Sequence, residues 1–173
     1  MDESTQRQWA ELAVRTINEV FPSERWLPIQ ALLPHALVCA RLIDDYQFSF
    51  PEASHLLDRA ASYLQDAARY QEAELLFLRS LAINEKVLGP EHSGTSATLH
   101  NLALLYQDQG RYQEAEPLFL RSLAINEKVL GPEHPNTATT LENYANLLQK
   151  MNRQDEVAPL RVRARAIRAK RQP

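Results

Sequence analysis

Residues 70–92 read YQEAELLFLRSLAINEKVLGPEH, and residues 112–134 read YQEAEPLFLRSLAINEKVLGPEH. The two blocks differ only at Leu75 and Pro117, and they are offset by 42 residues. A repeat of this period specifies stacked supersecondary units, each of which must share its core with its neighbours. A chain of this kind builds a surface more readily than a closed pocket.

Each unit reads as two helices. From Ser96 to Gln109, Leu99, Leu102, Ala103 and Tyr106 recur at helical spacing, and Gly110 is placed to end that helix. The second helix is expected to begin near Glu114 and to carry Ala115, Leu118, Phe119, Ser122, Leu123 and Ile125. Pro117 is compatible with it if Gln113 is the N-cap, because first-turn nitrogens have no partner within the helix. Gly131-Pro132 closes the second helix, and Asn136 or Thr137 is expected to cap the next one.

The 42-residue shift extends both ways. Forward, Pro117-Leu118 maps to Pro159-Leu160, Leu99 to Leu141 and Asn101 to Asn143. Backward, Leu99 maps to Leu57, Ala103 to Ala61 and Arg111 to Arg69. Three repeats follow, at 54–95, 96–137 and 138–173, after a helical lead-in or cap over 1–53. In that lead-in Trp9, Leu12, Ala13, Thr16 and Val20 form an apolar stripe, Phe21-Pro22 breaks the helix, and a second apolar segment runs from Ile29 to Ile43. At the other end, Arg161 and Arg165 stand where Phe119 and Leu123 stand one repeat earlier. Burying two unpaired charges costs several kcal/mol each, so these arginines read as a solubilising cap. From Lys150 onward eight Lys/Arg face two acidic residues, a local balance of +6.

The predicted fold class is therefore all-α: a right-handed α-α superhelix of helix-turn-helix repeats. The combination Gly110-x-Tyr112-x-x-Ala115-x-x-x-Phe119, the period of 42 and the LGPEHPxT ending resemble the kinesin light chain type of tetratricopeptide repeat. The segments AVRTINEVFPSE (13–24) and LLPHALVCARLI (32–43) are similar to the lead-in of bacterial multidomain proteins in which an NB-ARC type nucleotide switch precedes such repeats. The chain itself contains no GxxxxGK phosphate loop.

The resemblance implies that first helices of successive repeats line a concave groove. Residues off the packing stripe would then meet a peptide: Arg59 and Ser62 in the first repeat; His100, Asn101, Leu104 and Gln107 in the second; Glu142, Asn143, Asn146 and Gln149 in the third. The equivalent asparagines, Asn101 and Asn143, are the leading candidates, since an amide both donates to and accepts from a peptide group. The competing reading is a set of solvated helix faces.

Other chemistry finds little support. His92 and His134 recur in the GPEH loop and are expected to bond a helix end, since one repeat's spacing is too wide for a shared metal ion at ~2 Å. Cys39 and His35 share a helix face, but a buried structural thiol explains the cysteine better. Asp44-Asp45 and Glu114/Glu116 read as helix-end charges. Arg161, Arg165 and Arg168 share a face, without the aromatics of a nucleic-acid surface. The lone cysteine fits a reducing compartment.

The expected protein is a non-enzymatic interaction module, without metal or cofactor, holding a peptide or partner helix. Two alternatives remain at the sequence level: the ligand-sensing part of an NB-ARC-type switch, or a self-associating scaffold. No leader or membrane-spanning run is read in the sequence, so a cytoplasmic location is expected. Neither nucleic acid nor membrane is an expected partner, and a homo-oligomer is allowed.

Overall fold

A computed structural model describes residues 2–21 and 29–170. All regular structure among them is α-helical. The helices fall into two compact units, Met1–Gly89 and Pro90–Pro173. No helix among the described residues is long and apolar enough to cross a membrane.

The first unit holds α1 (Glu3–Val20), α2 (Ile29–Asp45), α3 (Pro51–Asp66) and α4 (Tyr70–Val87). Helix α1 opens with Asp2, whose carboxylate accepts from the Thr5 amide at 2.7 Å. The stripe expected on α1 is not the one that packs. Ala10 and Val14 are buried, with Phe21 at the C-cap, while Trp9 is 60% exposed and Leu12 and Val20 are each 52% exposed. Helices α2 and α3 both pack on α1, and the Arg59 guanidinium on α3 holds α1's last turn by the Asn18 and Phe21 carbonyls. The smaller residues of α1, Ala10 and Val14, are the ones buried in this packing. Pro22, the expected breaker, lies outside the described residues. Within this unit the lead-in and the first repeat hairpin therefore share a core.

In the α3–α4 hairpin, Leu56, Leu57, Ala60 and Leu64 meet Ala73, Leu76 and Phe77, all buried. The connection turns at Ala68, whose φ is +57°, and the Arg69 amide reaches back to the Leu64 carbonyl at 2.8 Å.

The second unit holds α5 (Ser93–Asp108), α6 (Tyr112–Val129), α7 (Pro135–Lys150) and α8 (Gln154–Ala169). Its turns repeat the same device at Gly110 and Asn152, with φ of +75° and +61°. Helix α6 starts at Tyr112 with Arg111 as its N-cap, rather than near Glu114 with Gln113 as cap. Arg111 grips both oxygens of Glu114 at 2.8 and 2.7 Å. Arg69–Glu72 and Arg153–Glu156 make the same fork at the same repeat position. This bidentate clamp fixes the helix start. Pro117 consequently lies in the second turn, where the Gln113 carbonyl has no donor four residues on, and α6 runs through it.

Helices α5 and α7 are capped by histidine. His92 Nδ1 accepts from the Gly94 amide at 3.0 Å, and His134 Nδ1 from the Asn136 amide at 3.1 Å. The expected role at a helix end holds for both, while the cap of α7 is His134 rather than Asn136 or Thr137.

Small residues set the closest helix approach. Ser122 Oγ donates to the Ser96 carbonyl at 3.0 Å across the α5–α6 hairpin. In the α7–α8 hairpin Ala138 and Ala164 take those places, in a cluster with Leu141 and Ile167. The end of α8 is tied down by charge. Arg163 meets Glu127 at 2.5 Å, Arg168 meets Glu142 at 2.6 Å, and Lys170 meets Glu133. Arg165 is exposed, while Arg161 is partly buried against Asn146 and Gln149 of α7.

Candidate functional site

The richest polar arrangement lies inside the second unit, where α5, the end of α6 and the start of α7 meet. Helical spacing puts Ser96 and His100 one turn apart on α5, and Asn136, Thr140 and Asn143 along one side of α7. His100 Nε2 lies 2.9 Å from Asn143 Nδ2, and His100 Nδ1 lies 3.3 Å from Thr140 Oγ1. Thr140 donates its single proton to the Asn136 carbonyl at 3.0 Å. It also accepts from Asn126 Nδ2 at 3.2 Å. Ser96 Oγ donates to Asn126 Oδ1 at 2.8 Å.

These contacts assign the imidazole tautomer. The Asn143 amide donates, so Nε2 accepts; Nδ1 then carries the proton and gives it to Thr140. Burial pushes the His100 pKa down to about 4, so the ring is neutral at pH 7. The ring also meets Phe119 edge-on, with centroids 5.4 Å apart.

Above this network opens a pocket of about 170 Å³. Ala97 and His100 line it, and Ser93, Asn101 and Asn136 stand around it. Among the described residues, the Asn101 side chain makes no hydrogen bond, although it is half-buried.

The sequence candidates separate on this geometry. His100, Asn101 and Asn143 come together. Asn143 is already committed to His100, so the two asparagines that look equivalent in sequence are not equivalent in structure. Leu104 is half-buried on α5, and the Gln107 side-chain oxygen is buried without a hydrogen bond. On α7, the Asn146 and Gln149 oxygens accept from Arg161 at 3.0 and 2.6 Å, and Glu142 pairs with Arg168. In the first unit, Ser62 Oγ donates to the Asp58 carbonyl at 2.9 Å. Arg59 is occupied by α1: it bonds Asn18 Oδ1 at 2.6 Å and lies 5.7 Å from the centre of the Phe21 ring. Burial lowers its pKa, and those carbonyl contacts rather than a free cation describe it.

Sequence reasoning missed Ser96, Asn126 and Thr140. Their signal was a polar residue on an otherwise apolar helix face, which reads as tolerated rather than networked. Elsewhere, Cys39 is buried with its thiol 3.7 Å from the Ala13 carbonyl, while His35 is exposed. Desolvation pushes that thiol pKa up, away from reactivity. Glu116 binds Arg153 at 2.6 Å and accepts from the Tyr144 hydroxyl at 2.9 Å. Burial and Glu116 together raise the Tyr144 pKa to about 12. Among the described residues no group of three His, Cys, Asp or Glu side chains is placed to hold a metal ion.

Known proteins place this geometry. A tetratricopeptide repeat family profile matches residues 52–117 and 94–170. No curated protein matches the sequence significantly. A Podosopora anserina protein of kinesin light chain type, with nearly identical TPR-like repeats, aligns over 100% of this chain and 80% of its own at 27% identity and a TM-score of 0.71. BtubC (BKLC) from P. vanneervenii aligns over 98% of this chain and 74% of its own, at 17% identity and a TM-score of 0.68. The Rap protein complexed with Competence and Sporulation Factor aligns over 96% of this chain and 44% of its own, at 15% identity and a TM-score of 0.66. These last two speak to the fold alone. The all-α hairpins, the 42-residue period and the profile spanning most of the sequence establish that this chain belongs to the tetratricopeptide repeat family, with repeats similar to those of kinesin light chain proteins.

Proposed function

We propose that the chain is a non-enzymatic protein-interaction module that holds a peptide or a partner helix along the α5–α7 face of its second unit. The family's fold is one typically used for binding other proteins. The observation that carries the reading is Asn101, a half-buried amide with no hydrogen bond among the described residues, beside the α5–α7 pocket. A free amide there offers a donor and an acceptor to one peptide group. Leu104, half-buried one turn further on, adds apolar contact. In the Rap protein a related fold is seen with Competence and Sporulation Factor bound, so such an arrangement of helices can hold a ligand.

The test is selection of peptides from a random display library on the intact chain, followed by calorimetry. Asn101→Ala should weaken the selected peptide about five- to tenfold, the loss expected for one hydrogen bond of ~1 kcal/mol. Asn146→Ala, on an amide already engaged by Arg161, should change affinity far less. Equal affinity for Asn101→Ala and the parent chain would refute the assignment of the face.

A further inference from the structure

The pocket between α5 and α7 has an unusual chemical character. Its walls carry many polar atoms, yet at its base those of His100 and Thr140 are already used within the protein. Ser96 gives its proton to Asn126. Thr140 gives its proton to Asn136 and receives from Asn126 and His100. His100 accepts from Asn143 through its remaining lone pair. Both ring nitrogens of His100 and the Thr140 hydroxyl are used within the protein, and Ser96 and Asn126 are buried and bonded to each other, so a polar guest gains little there and loses its hydration. No ionised side chain lines the pocket: its lining is Ser, Ala, His, Asn and Thr, and the histidine is neutral.

The rim differs. Ser93, Asn101 and Asn136 have no side-chain hydrogen bond among the described residues, and they border the opening. A buried, internally bonded floor beneath solvent-facing amides matches an amino-acid residue in an extended chain: apolar side chain down, peptide groups across the rim. The volume, about 170 Å³, is close to the ~150 Å³ of a cavity that admits benzene. It suits one medium-sized apolar group. Alanine would leave it largely unfilled.

We infer that this pocket is an anchor site that selects one uncharged, medium-sized apolar side chain, of leucine, methionine or phenylalanine size, from a bound peptide whose flanking peptide groups are held by Asn101 and Asn136. The inference rests on the α5–α7 face being the binding face and adds what that face selects.

The probes are capped amino acids: N-acetyl-leucine N-methylamide, with the glycine, aspartate and lysine analogues as controls. They are titrated into the ¹⁵N-labelled chain at pH 7. The leucine probe should shift the side-chain amides of Asn101 and Asn136 and the backbone of Ala97 and His100, with at least fivefold tighter binding than any control. Ala97→Phe, which places a ring in the pocket from an exposed position, should abolish those shifts while leaving the helical circular dichroism intact. Two results overturn the inference: equal binding of all four probes, or leucine shifts unaffected by Ala97→Phe. Should Asn101→Ala weaken a display-selected peptide while Ala97→Phe does not, the face stands and the anchor site falls. Should neither variant matter, both fall.

Discussion

His100 Nε2 accepts a hydrogen bond from Asn143 Nδ2 at 2.9 Å, joining α5 to α7 through the neutral form of the ring. Protonation would put a hydrogen on each ring nitrogen, and the Asn143 amide would then face a donor with a donor. Burial, the dominant cause, holds the pKa at about 4 against an ordinary value of 6.5. The unfolded chain therefore takes up a proton before the folded chain does. Stability is complete above pH 6.5 and drains as the pH falls toward 4, by a total on the order of 3 kcal/mol. Urea unfolding at several values between pH 7 and pH 4 measures this slope. His100→Gln should flatten the part of it that lies between pH 6.5 and 4. An unchanged slope in that variant would remove His100 from the account.

Pro117 and Leu75 occupy one repeat position and give an internal control. Leu75 is exposed, so Pro117→Leu adds little burial. What it restores is the hydrogen bond to the Gln113 carbonyl, and it removes the ring's steric clash with the preceding turn. The variant should gain about 1–3 kcal/mol, and Leu75→Pro should lose a similar amount. Chemical denaturation of the pair decides it. If Pro117→Leu is neutral, α6 has already bent to accommodate the ring.

The proline shows where sequence reasoning reached and where it stopped. The period, the helix pairs and the apolar stripe through Leu99, Leu102, Ala103 and Tyr106 were legible, because repetition and 3.6-residue spacing are properties of the string. The start of α6 was misplaced by two residues, because its cap is an Arg111–Glu114 clamp rather than a capping side chain of the usual kind. The larger apolar residues of the lead-in helix, Trp9 and Leu12, form the stripe visible in the string, yet α1 packs on Ala10 and Val14, because it lies against both α2 and α3 rather than one neighbour. The candidate site was legible as a list but not as a network. Nothing in the string distinguishes Asn101 from Asn143, and only the position of His100 makes one free and the other committed.

Ser96 and Ser122 test how much of the α5–α6 contact is polar. Ser122→Ala removes one hydroxyl from the Ser96 carbonyl and copies the alanine found at the same place in α8. Its cost should be at most about 1 kcal/mol. Ser96→Ala is different in kind, because it leaves the buried Asn126 oxygen without its 2.8 Å donor. That variant should cost about 1–3 kcal/mol. Comparing thermal midpoints of the two single variants and the double variant separates these cases. Equal losses from the two single changes would mean that the Asn126 oxygen finds another donor.

Ala68, Gly110 and Asn152 hold the same left-handed turn with φ of +57°, +75° and +61°. The turn is required because the amide that follows each reaches back into the helix just ended: Arg69 to Leu64, Arg111 to Tyr106, and Arg153 to Leu148, at 2.8 to 3.0 Å. Three residue types meet one backbone demand, so their costs can be ordered by sterics alone. A Cβ in this region crowds the next carbonyl by about 1–2 kcal/mol, which glycine avoids and asparagine partly offsets with its polar side chain. Ala68→Gly should therefore stabilise the first unit by about 1 kcal/mol, after the greater entropy of the unfolded glycine is subtracted. Gly110→Ala should destabilise the second unit by a comparable amount. A Cβ built on Gly110 has no neighbour within 4 Å, so any loss there reports backbone conformation rather than a clash with packed atoms. Asn152→Gly should fall between zero and the Ala68 gain. Urea midpoints for the three variants give the order, and a stabilising Gly110→Ala would show that the turn relaxes out of the left-handed region when glycine is replaced.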